Sequence, residues 1–315
     1  MFALRGIAVS LTFFVLLYGG LSALVVVSWR WLRWLHAAEQ SVADLLFLLR
    51  VLPLFASIVL TIAFVVPSFQ ILEPRSANEG TGTLPLALGV AALLLIALGS
   101  WRVITAQTRT ARVVGRWLEG ARPFETGSDT ITLRSHRQTP PLTLVGMRKP
   151  RVLVSDSTVE LLTGDELDIA LKHELAHIRS RDNLKKLLFR FAPFPGMASL
   201  ETAWSQAAEL AADDAAVASA NDAVDLAAAL VKLSRLVPVQ ASVEPAAVCT
   251  VGFVTGTISA RVARLLAWDA SGKSRQTRIP RWFAIPPVAA AVFCAFLTYG
   301  PVLAITHEMT EWLVR

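Results

Sequence analysis

Residues 171–178 read Leu-Lys-His-Glu-Leu-Ala-His-Ile, and this stretch decides how the rest of the chain is interpreted. His173 and His177 are one helical turn apart, which on an α-helix is a rotation of roughly 40° and a rise of about 6 Å. Both imidazoles would therefore leave the same face, close enough for each to bind one Zn²⁺ at about 2.0–2.1 Å. Glu174 follows the first histidine, and we expect it to accept a proton from an attacking water molecule as general base.

The flanking residues predict that this stretch is helical. Thr163 and Glu166 have the spacing of a capping box, in which each side chain satisfies a backbone N–H of the first turn. An apolar face follows at helical spacing, formed by Leu167, Ala170, Leu171, Leu175 and Ile178. The alternative is a helix with two surface histidines, because a motif this short also occurs by chance.

A second helix, predicted over residues 201–217, favours the zinc site over that alternative. It carries Glu209 and, one turn later, Asp213. A carboxylate from Glu209 would complete three protein ligands and leave the fourth position open, as a catalytic zinc site requires. Asp213 lies on the same helical face and would accept a hydrogen bond from a ligand histidine, which fixes its tautomer.

The composition places the chain among membrane proteins, since 54% of its residues are hydrophobic and the mean hydropathy is +0.53. Stretches long and apolar enough to cross a bilayer are predicted at 7–29, 51–72, 84–101 and 283–305. The first is too long for the core of a cleaved signal peptide, so we interpret it as a membrane helix.

The segment between the third and fourth spans holds every motif above and is long enough for one compact domain. We therefore predict three transmembrane helices in residues 1–105 and a metallopeptidase domain in residues 106–281. A fourth transmembrane helix and a short tail are predicted in residues 282–315.

The formal net charge of +6 comes largely from basic residues that flank these spans. They include Arg30, Arg33, Arg50, Arg102, Arg109, Arg112, Arg116, Lys273, Arg275, Arg278 and Arg281. The positive-inside rule then predicts a multi-pass protein of the inner (plasma) membrane, with its N-terminus outside and the metal domain in the cytoplasm. Anionic lipid explains the same charges, and no nucleic-acid-binding module is recognisable, so we expect no direct nucleic-acid binding.

A change of sequence period predicts a small antiparallel sheet ahead of the metal helix. Residues 130–133 and 142–145 alternate apolar and polar side chains, and 151–154 is a β-branched run. An edge of this sheet would pair with an extended substrate, although a purely structural hairpin fits the sequence equally well.

Two polar segments have simpler interpretations. Residues 36–50 are moderately amphipathic and are expected to lie along the inner membrane surface before the chain turns into the second span. Asp182 is expected to cap the helix that follows the metal helix, although it also lies near enough in sequence to steady the metal helix itself.

Taken together, the motifs resemble those of the BlaR/MecR-type integral-membrane metallopeptidases. The resemblance rests on residues 173–178, 181–183, Glu209 with Asp213, and Gly146 with Pro150 ahead of the motif. It covers the layout of the whole chain and implies a membrane α-helical protein with a cytoplasmic α+β, gluzincin-like metallopeptidase domain.

The same resemblance implies roles for individual residues. His173, His177 and Glu209 would bind zinc, and Glu174 would be the general base. Asp213 would not touch the metal but would hydrogen-bond to one of its histidine ligands. The best-known members also carry a large extracellular penicillin-binding sensor domain after the last span. Only residues 307–315 follow that span here, so direct β-lactam sensing is not expected.

The expected function is that of a zinc endopeptidase acting in transmembrane signalling, with the role of an antirepressor. The resemblance suggests a cytoplasmic protein substrate such as a winged-helix repressor, or self-cleavage in the basic tether at 273–278. The sequence leaves open whether the protein forms a homodimer. It also leaves open which residue would donate to the oxyanion: His136 and Arg261 are candidates, and neither is assigned.

Two alternatives remain. A housekeeping protease of the HtpX or Ste type shares the motif but usually has further spans after the metal helix, whereas residues 184–194 are too short and too charged to cross. A non-proteolytic membrane scaffold with a structural zinc site would not need Glu174 beside the first ligand.

Overall fold

The computed structural model describes residues 2–32, 39–73, 82–124, 132–135, 139–146, 150–236, 258–268 and 299–312. Several sequence-based predictions concern residues outside these ranges. They are His136, the tether at 273–278 and the greater part of the fourth predicted span. Within the described ranges, the chain consists of helices arranged around one small sheet.

Long apolar helices come first in the chain: α1 (Phe2–Leu32), α2 (Glu39–Leu60) and α4 (Thr83–Leu118). A π-helical turn, Thr61–Val65, leads from α2 into the short α3 (Val66–Leu72) without a break. Three helical stretches are long and apolar enough to cross a membrane, namely Phe2–Trp29, Val42–Leu72 and Thr83–Leu118. Each contains one of the first three predicted spans and is longer than it.

Helix α4 links the apolar helices to the sheet. It continues past residue 105, the predicted domain boundary, and ends before Gly120, whose φ of 78° is a conformation that glycine adopts without strain. Its last turns pack Trp117 and Leu118 against Val145 and Leu153 of the sheet. The division of the chain into domains stays a prediction, since the backbone has no interruption at this point.

The sheet contains β1 (Arg122–Phe124), β2 (Thr132–Ser135), β3 (Leu142–Val145) and β4 (Arg151–Ser155) in the order β1-β2-β4-β3. The β3–β4 pair is antiparallel, as predicted, and β1, a strand that was not predicted, pairs antiparallel with β2. The central pair, β2 with β4, is parallel, which was not predicted. An alternating pattern identifies a strand but does not give its direction, because both arrangements need the same side-chain period.

The remaining helices follow in the order α5 (Asp156–Leu161), α6 (Gly164–Ser180), α7 (Asp182–Phe191), α8 (Ala198–Ala216), α9 (Ala220–Leu236) and α10 (Ile258–Leu266). Helix α6 packs its apolar face, including Ala170 and Leu171, against Leu144 and Val152 of the sheet and Leu233 of α9. Its opposite side faces α8, so α6 lies between the sheet and the second predicted site helix.

The prediction of a surface helix over residues 36–50 is wrong for the part that the structure describes. Residues 39–50 belong to α2 itself and run directly into the second span. The polar residues that made the stretch look amphipathic contact other helices: Arg50 donates to Glu201 at 2.8 Å, and Lys185 donates to Asp44 at 3.3 Å. These polar residues bind protein partners rather than lie against the membrane surface.

Residues 299–312 form a last helix, α11, which packs against α3 and the π-helical turn. Tyr299 donates a hydrogen bond to the backbone oxygen of Ala63 at 3.0 Å, and Ser68 donates to that of Leu303 at 3.1 Å. Ala63 precedes Pro67 by one turn, and proline has no N–H to donate. Pro67 therefore cannot donate to the Ala63 oxygen as the residue four positions on normally would, and Tyr299 supplies a donor to it. Of the predicted fourth span, only residues 299–305 are described.

Helices α4 and α7 are in close contact at Gly99, where an added Cβ would overlap the backbone oxygen of Phe191. We expect Gly99→Ala to force the helices apart and destabilise the protein by about 1–3 kcal/mol, because a backbone obstacle cannot rotate away. The midpoint of thermal unfolding in detergent measures this. Gly115→Ala on the same helix is the control, since a Cβ there meets nothing within 4 Å. Equal midpoints for the two variants would contradict the close contact.

Candidate metal centre

Helix α6 begins at the predicted capping box, which is confirmed. The Thr163 N–H donates to Oε2 of Glu166 at 2.8 Å, and the Glu166 N–H donates to Oγ1 of Thr163 at 3.3 Å. Lys232 of α9 donates to both oxygens of Glu166 at 2.7 Å. The start of the helix is therefore fixed both locally and by a neighbouring helix, which sets the direction in which its later side chains project.

The structure brings His173, His177 and Glu209 together in a buried cluster between α6 and α8. The two Nε2 atoms are 3.2 Å apart, and each lies 3.7 Å from an oxygen of Glu209. Ligand atoms about 2.0–2.1 Å from one tetrahedral Zn²⁺ are about 3.3 Å apart. The donor set and its spacing therefore fit zinc.

Each histidine has a carboxylate behind it. Nδ1 of His177 lies 2.7 Å from Oδ2 of Asp182, and Nδ1 of His173 lies 3.0 Å from Oδ1 of Asp213. Both contacts leave Nε2 as the nitrogen that faces the cluster, which is the arrangement that orients histidine ligands in metal proteins. Asp213 therefore lies where the sequence predicted, beside a candidate ligand imidazole.

The capping role predicted for Asp182 is wrong. Arg181, in the left-handed conformation with a φ of 56°, is the N-cap residue of α7, and no side-chain cap is present there. The tight turn at Arg181 brings the Asp182 carboxylate back towards His177. A carboxylate five residues after the second histidine was the signal for this contact, which corresponds to the alternative that Asp182 steadies the metal helix.

Glu174 is buried beside this cluster, with only 1% of its surface exposed. Its Oε2 forms no hydrogen bond to any residue that the structure describes. Burial raises the pKa of Glu174 to about 7, against the lowering effect of positive charge on His177 and His173. A carboxyl group that titrates near neutral pH and has an oxygen without a partner is suited to accepting and returning a proton.

Arg261 of α10 completes the cluster and is the residue whose role the sequence did not predict. Its Nε and Nη2 donate to Asp213 at 2.8 and 2.6 Å, and its Nη1 donates to Oε2 of Glu209 at 2.8 Å. The guanidinium thus joins the candidate ligand on α8 to the carboxylate behind His173. The sequence offered Arg261 only as a general hydrogen-bond donor. His136, the other oxyanion candidate, lies outside the described residues.

The charges in the cluster favour a protonated histidine before metal binds. Burial lowers the pKa of His173, but Asp213 and Glu209 outweigh burial and raise that pKa to about 9. Although burial opposes ionisation of both carboxyl groups, hydrogen bonding to His173 lowers the pKa of Glu209 and that of Asp213. A metal ion must therefore displace a proton from His173.

We expect zinc binding to the metal-free protein at about pH 7.5 to release close to one proton, since metal ligands must be deprotonated. Isothermal titration calorimetry in two buffers with different ionisation enthalpies measures this number. The sign follows from the raised pKa of about 9 for His173: apparent zinc affinity increases as the pH rises towards that value. The Asp213→Asn variant should release fewer protons on binding zinc. Zinc binding without proton release in the wild type would contradict the assignment of a proton to His173.

A cavity of about 550 Å³ opens beside the cluster. Leu144, Gly146 and Pro150 line it on the side of the sheet, and His177 and Asn183 line it on the side of the helices. Strand β3 is the last strand in the sheet order, so the cavity connects an edge strand to a candidate metal ligand.

A model of the family described as BlaR1 peptidase M56 matches residues 81–265, which is more than half of the chain. The chain belongs to this family. The match confirms the resemblance to BlaR/MecR-type metallopeptidases and extends from α4 to α10, so it covers the whole candidate centre. No curated protein and no solved structure matches the chain. Family membership implies peptidase activity for this M56 protein, and its apolar helices indicate a membrane location.

Proposed function

We propose that this M56 peptidase is a zinc-dependent endopeptidase, in which His173, His177 and Glu209 bind the metal and Glu174 is the general base. The observation that carries the proposal is the grouping of the three ligand side chains, with the two Nε2 atoms 3.2 Å apart and each 3.7 Å from an oxygen of Glu209, beside the buried carboxyl group of Glu174. A purely structural zinc site would have four protein ligands and no need for that carboxyl group.

The residues of the chain have separate tasks in this proposal. A bound zinc ion would supply Lewis acidity, which acidifies water and polarises the scissile carbonyl. Glu174 accepts the proton of the attacking water and returns it to the leaving amine. Asp182 and Asp213 hold their histidines in the tautomer that presents Nε2. Arg261 holds one oxygen of Glu209, which leaves the other oxygen for the metal.

The substrate is proposed to bind as an extended peptide in the 550 Å³ cavity. Strand β3 forms one wall and has a strand neighbour on one side only among the described strands. Its side chains are buried, so its contribution to binding would come from main-chain hydrogen bonds. This favours the substrate-binding edge over the purely structural hairpin, because the cavity reaches from the strand to His177.

The cellular role proposed here is cleavage of a cytoplasmic protein, such as a winged-helix repressor, in signalling across the inner membrane. Support comes from the family and from the arginines that follow the apolar part of α4, which favour a cytoplasmic location under the positive-inside rule. The housekeeping alternative is less well supported. Helix α7, which follows the metal helix, has only 10 residues and is too short to cross a bilayer.

The test combines metal analysis of the purified full-length protein with a proteolysis assay in membranes. We expect near-stoichiometric zinc, product formation that stops with a chelator, and recovery on adding zinc. His177→Ala should lose metal and activity, whereas Lys172→Ala, an exposed residue of the same helix, should lose neither. A protein that purifies without zinc contradicts the site, and a zinc-loaded protein that cleaves no substrate under any condition contradicts the peptidase.

A further inference from the structure

A second group of metal-ligating side chains lies where α3 ends against α11. It consists of Glu73, the residue that follows α3, and of His307 and Glu311, which are one turn apart on α11. One potential ligand atom from each of the three lies within 4.8 Å of the other two. The group shares no residue with the candidate metal centre.

The position of this outer cluster, Glu73 with His307 and Glu311, is far from the candidate metal centre. Helix α8, which carries Glu209, packs against the first part of α2, including Leu46 and Val51. From Val51 the chain stays helical as far as Leu72, a length of about 32 Å. The hydrocarbon core of a bilayer is about 30 Å thick. The outer cluster therefore lies a membrane thickness beyond the contact between α2 and α8.

His307 lies between the two carboxylates of the outer cluster. Its Nδ1 is 3.8 Å from Oε2 of Glu73, and its Nε2 is 3.6 Å from Oε1 of Glu311. Both distances are too long for a hydrogen bond. Nδ1 is buried and forms no hydrogen bond to any residue within the described ranges. A buried nitrogen without a partner is unfavourable, so the arrangement favours a ligand that the imidazole can bind.

Arg5 fixes the orientation of Glu73. Its Nη1 lies 3.1 Å from Oε1 of Glu73, and both side chains are less than one tenth exposed. The other oxygen of Glu73 is the one that faces His307. With His307 neutral, the four side chains carry one net negative charge, which favours a cation.

We propose that Glu73, His307 and Glu311 bind a divalent transition-metal ion such as Zn²⁺, which joins α11 to the end of α3. Zinc binds both imidazole nitrogen and carboxylate oxygen, whereas Mg²⁺ and Ca²⁺ prefer oxygen ligands alone. The site has one histidine, and the side chain of Glu311 is 43% exposed. It therefore binds zinc more weakly than the candidate metal centre, which is buried and has two histidines.

The helices that carry these ligands are already held together without a metal ion. Tyr299 and Ser68 form the hydrogen bonds that fix α11 against α3 and the π-helical turn. The two ligands on α11 leave the same face of the helix, since they are four residues apart. Ligands held in place before binding lower the entropic cost of capturing the ion.

The experiment is equilibrium dialysis of Zn²⁺ against the full-length protein in detergent, after removal of metal with a chelator. We expect the wild type to bind two equivalents, and Glu311→Gln to weaken the lower-affinity equivalent at least about tenfold. Glu308→Gln is the matched control. It removes the same charge from an exposed position next to His307, and it should bind zinc like the wild type. Mg²⁺ at the same concentration should not displace the zinc.

His307→Ala is the second variant and should lose the same equivalent as Glu311→Gln. Thermal unfolding with a chelator present shows whether each variant is folded. No loss in either variant, or an equal loss in Glu308→Gln, would overturn the proposal, because the zinc would then be held adventitiously by surface charge. A wild type that binds one equivalent, which Glu311→Gln loses, would support the outer cluster and contradict the candidate metal centre instead.

Discussion

Glu174→Gln is expected to lower peptide cleavage by about 10²–10⁴-fold, the usual contribution of a general acid–base group, while zinc stays bound. Glutamine has nearly the same shape as glutamate but cannot accept the proton of the attacking water. The proposed ligands His173, His177 and Glu209 are unchanged. Metal content and cleavage, measured on the same membrane preparations, separate the two effects.

Two outcomes of that comparison would count against the role of Glu174. Equal loss of zinc and activity would place Glu174 among the metal ligands rather than beside them. Activity similar to that of the wild type would remove it from the mechanism. Lys172→Gln, at an exposed position of the same helix, controls for any general effect of adding glutamine to α6.

Although Glu174→Gln should lower cleavage, it is expected to stabilise the metal-free protein. Burial raises the pKa of Glu174 to about 7, whereas the carboxyl group of the unfolded chain has its ordinary pKa of 4.5. As the pH rises, this carboxyl group therefore ionises first in the unfolded chain. The free energy of unfolding of the wild type falls by up to about 3 kcal/mol between about pH 4.5 and pH 7. Glutamine has no such loss. We expect Glu174→Gln to be more stable than the wild type at about pH 8 and similar near pH 4.5, measured by denaturant unfolding with a chelator present. An equal difference in the free energy of unfolding between the variant and the wild type at both pH values would contradict this prediction.

Arg261→Met is expected to destabilise the metal-free protein by about 3–5 kcal/mol, because removing one partner from a buried ionic cluster leaves charge uncompensated. Arg261 is 1% exposed, and its guanidinium binds Glu209 and Asp213. Without it, the two buried carboxylates lose the guanidinium that offsets their charge. Added zinc should restore part of the loss, since the metal ion supplies the missing positive charge. Zinc should therefore raise the unfolding midpoint of Arg261→Met more than that of the wild type.

The matched control for this prediction is Arg264→Met, one helical turn further along α10. Arg264 pairs with Asp214, and its side chain is 33% exposed, so its loss should cost no more than about 1 kcal/mol. Zinc should raise the midpoint of this variant as much as that of the wild type. Similar destabilisation by the two substitutions would mean that α10, rather than the contact with the metal centre, is responsible.

The parts of the fold that the sequence predicted are those determined by nearby residues. The capping box at Thr163 and the apolar face of α6 act within a few residues of each other, and long apolar runs identify membrane helices by composition alone. The contacts that were missed join distant parts of the chain. Arg261 is 48 residues from Asp213, and Arg50 is 151 residues from Glu201. Nothing within a local window distinguishes these arginines from solvent-exposed ones.

In the candidate site, too, the features set by nearby residues were predictable and the contacts between distant parts of the chain were not. The spacing of His173 and His177 is a property of one helix, so their common face could be predicted. Glu209 and Asp213 had the matching spacing on a second helix, although only the packing of α8 on α6 brings the two pairs together. The contact between Asp182 and His177 depends on the left-handed conformation of a single residue, Arg181. The sequence does not reveal this conformation, because arginine rarely adopts it.

The uninterrupted course of α4 has a mechanical consequence. A helix without a hinge at the membrane surface acts as a lever, so a change of tilt inside the bilayer must swing its far end. The portion from Trp101 to Leu118 is about 25 Å long, and a 10° tilt would carry Leu118 sideways by about 4 Å. Leu118 packs against the sheet that contributes β3, which lines the 550 Å³ cavity. A change of tilt within the bilayer would thus reach the strand that lines the cavity beside His177.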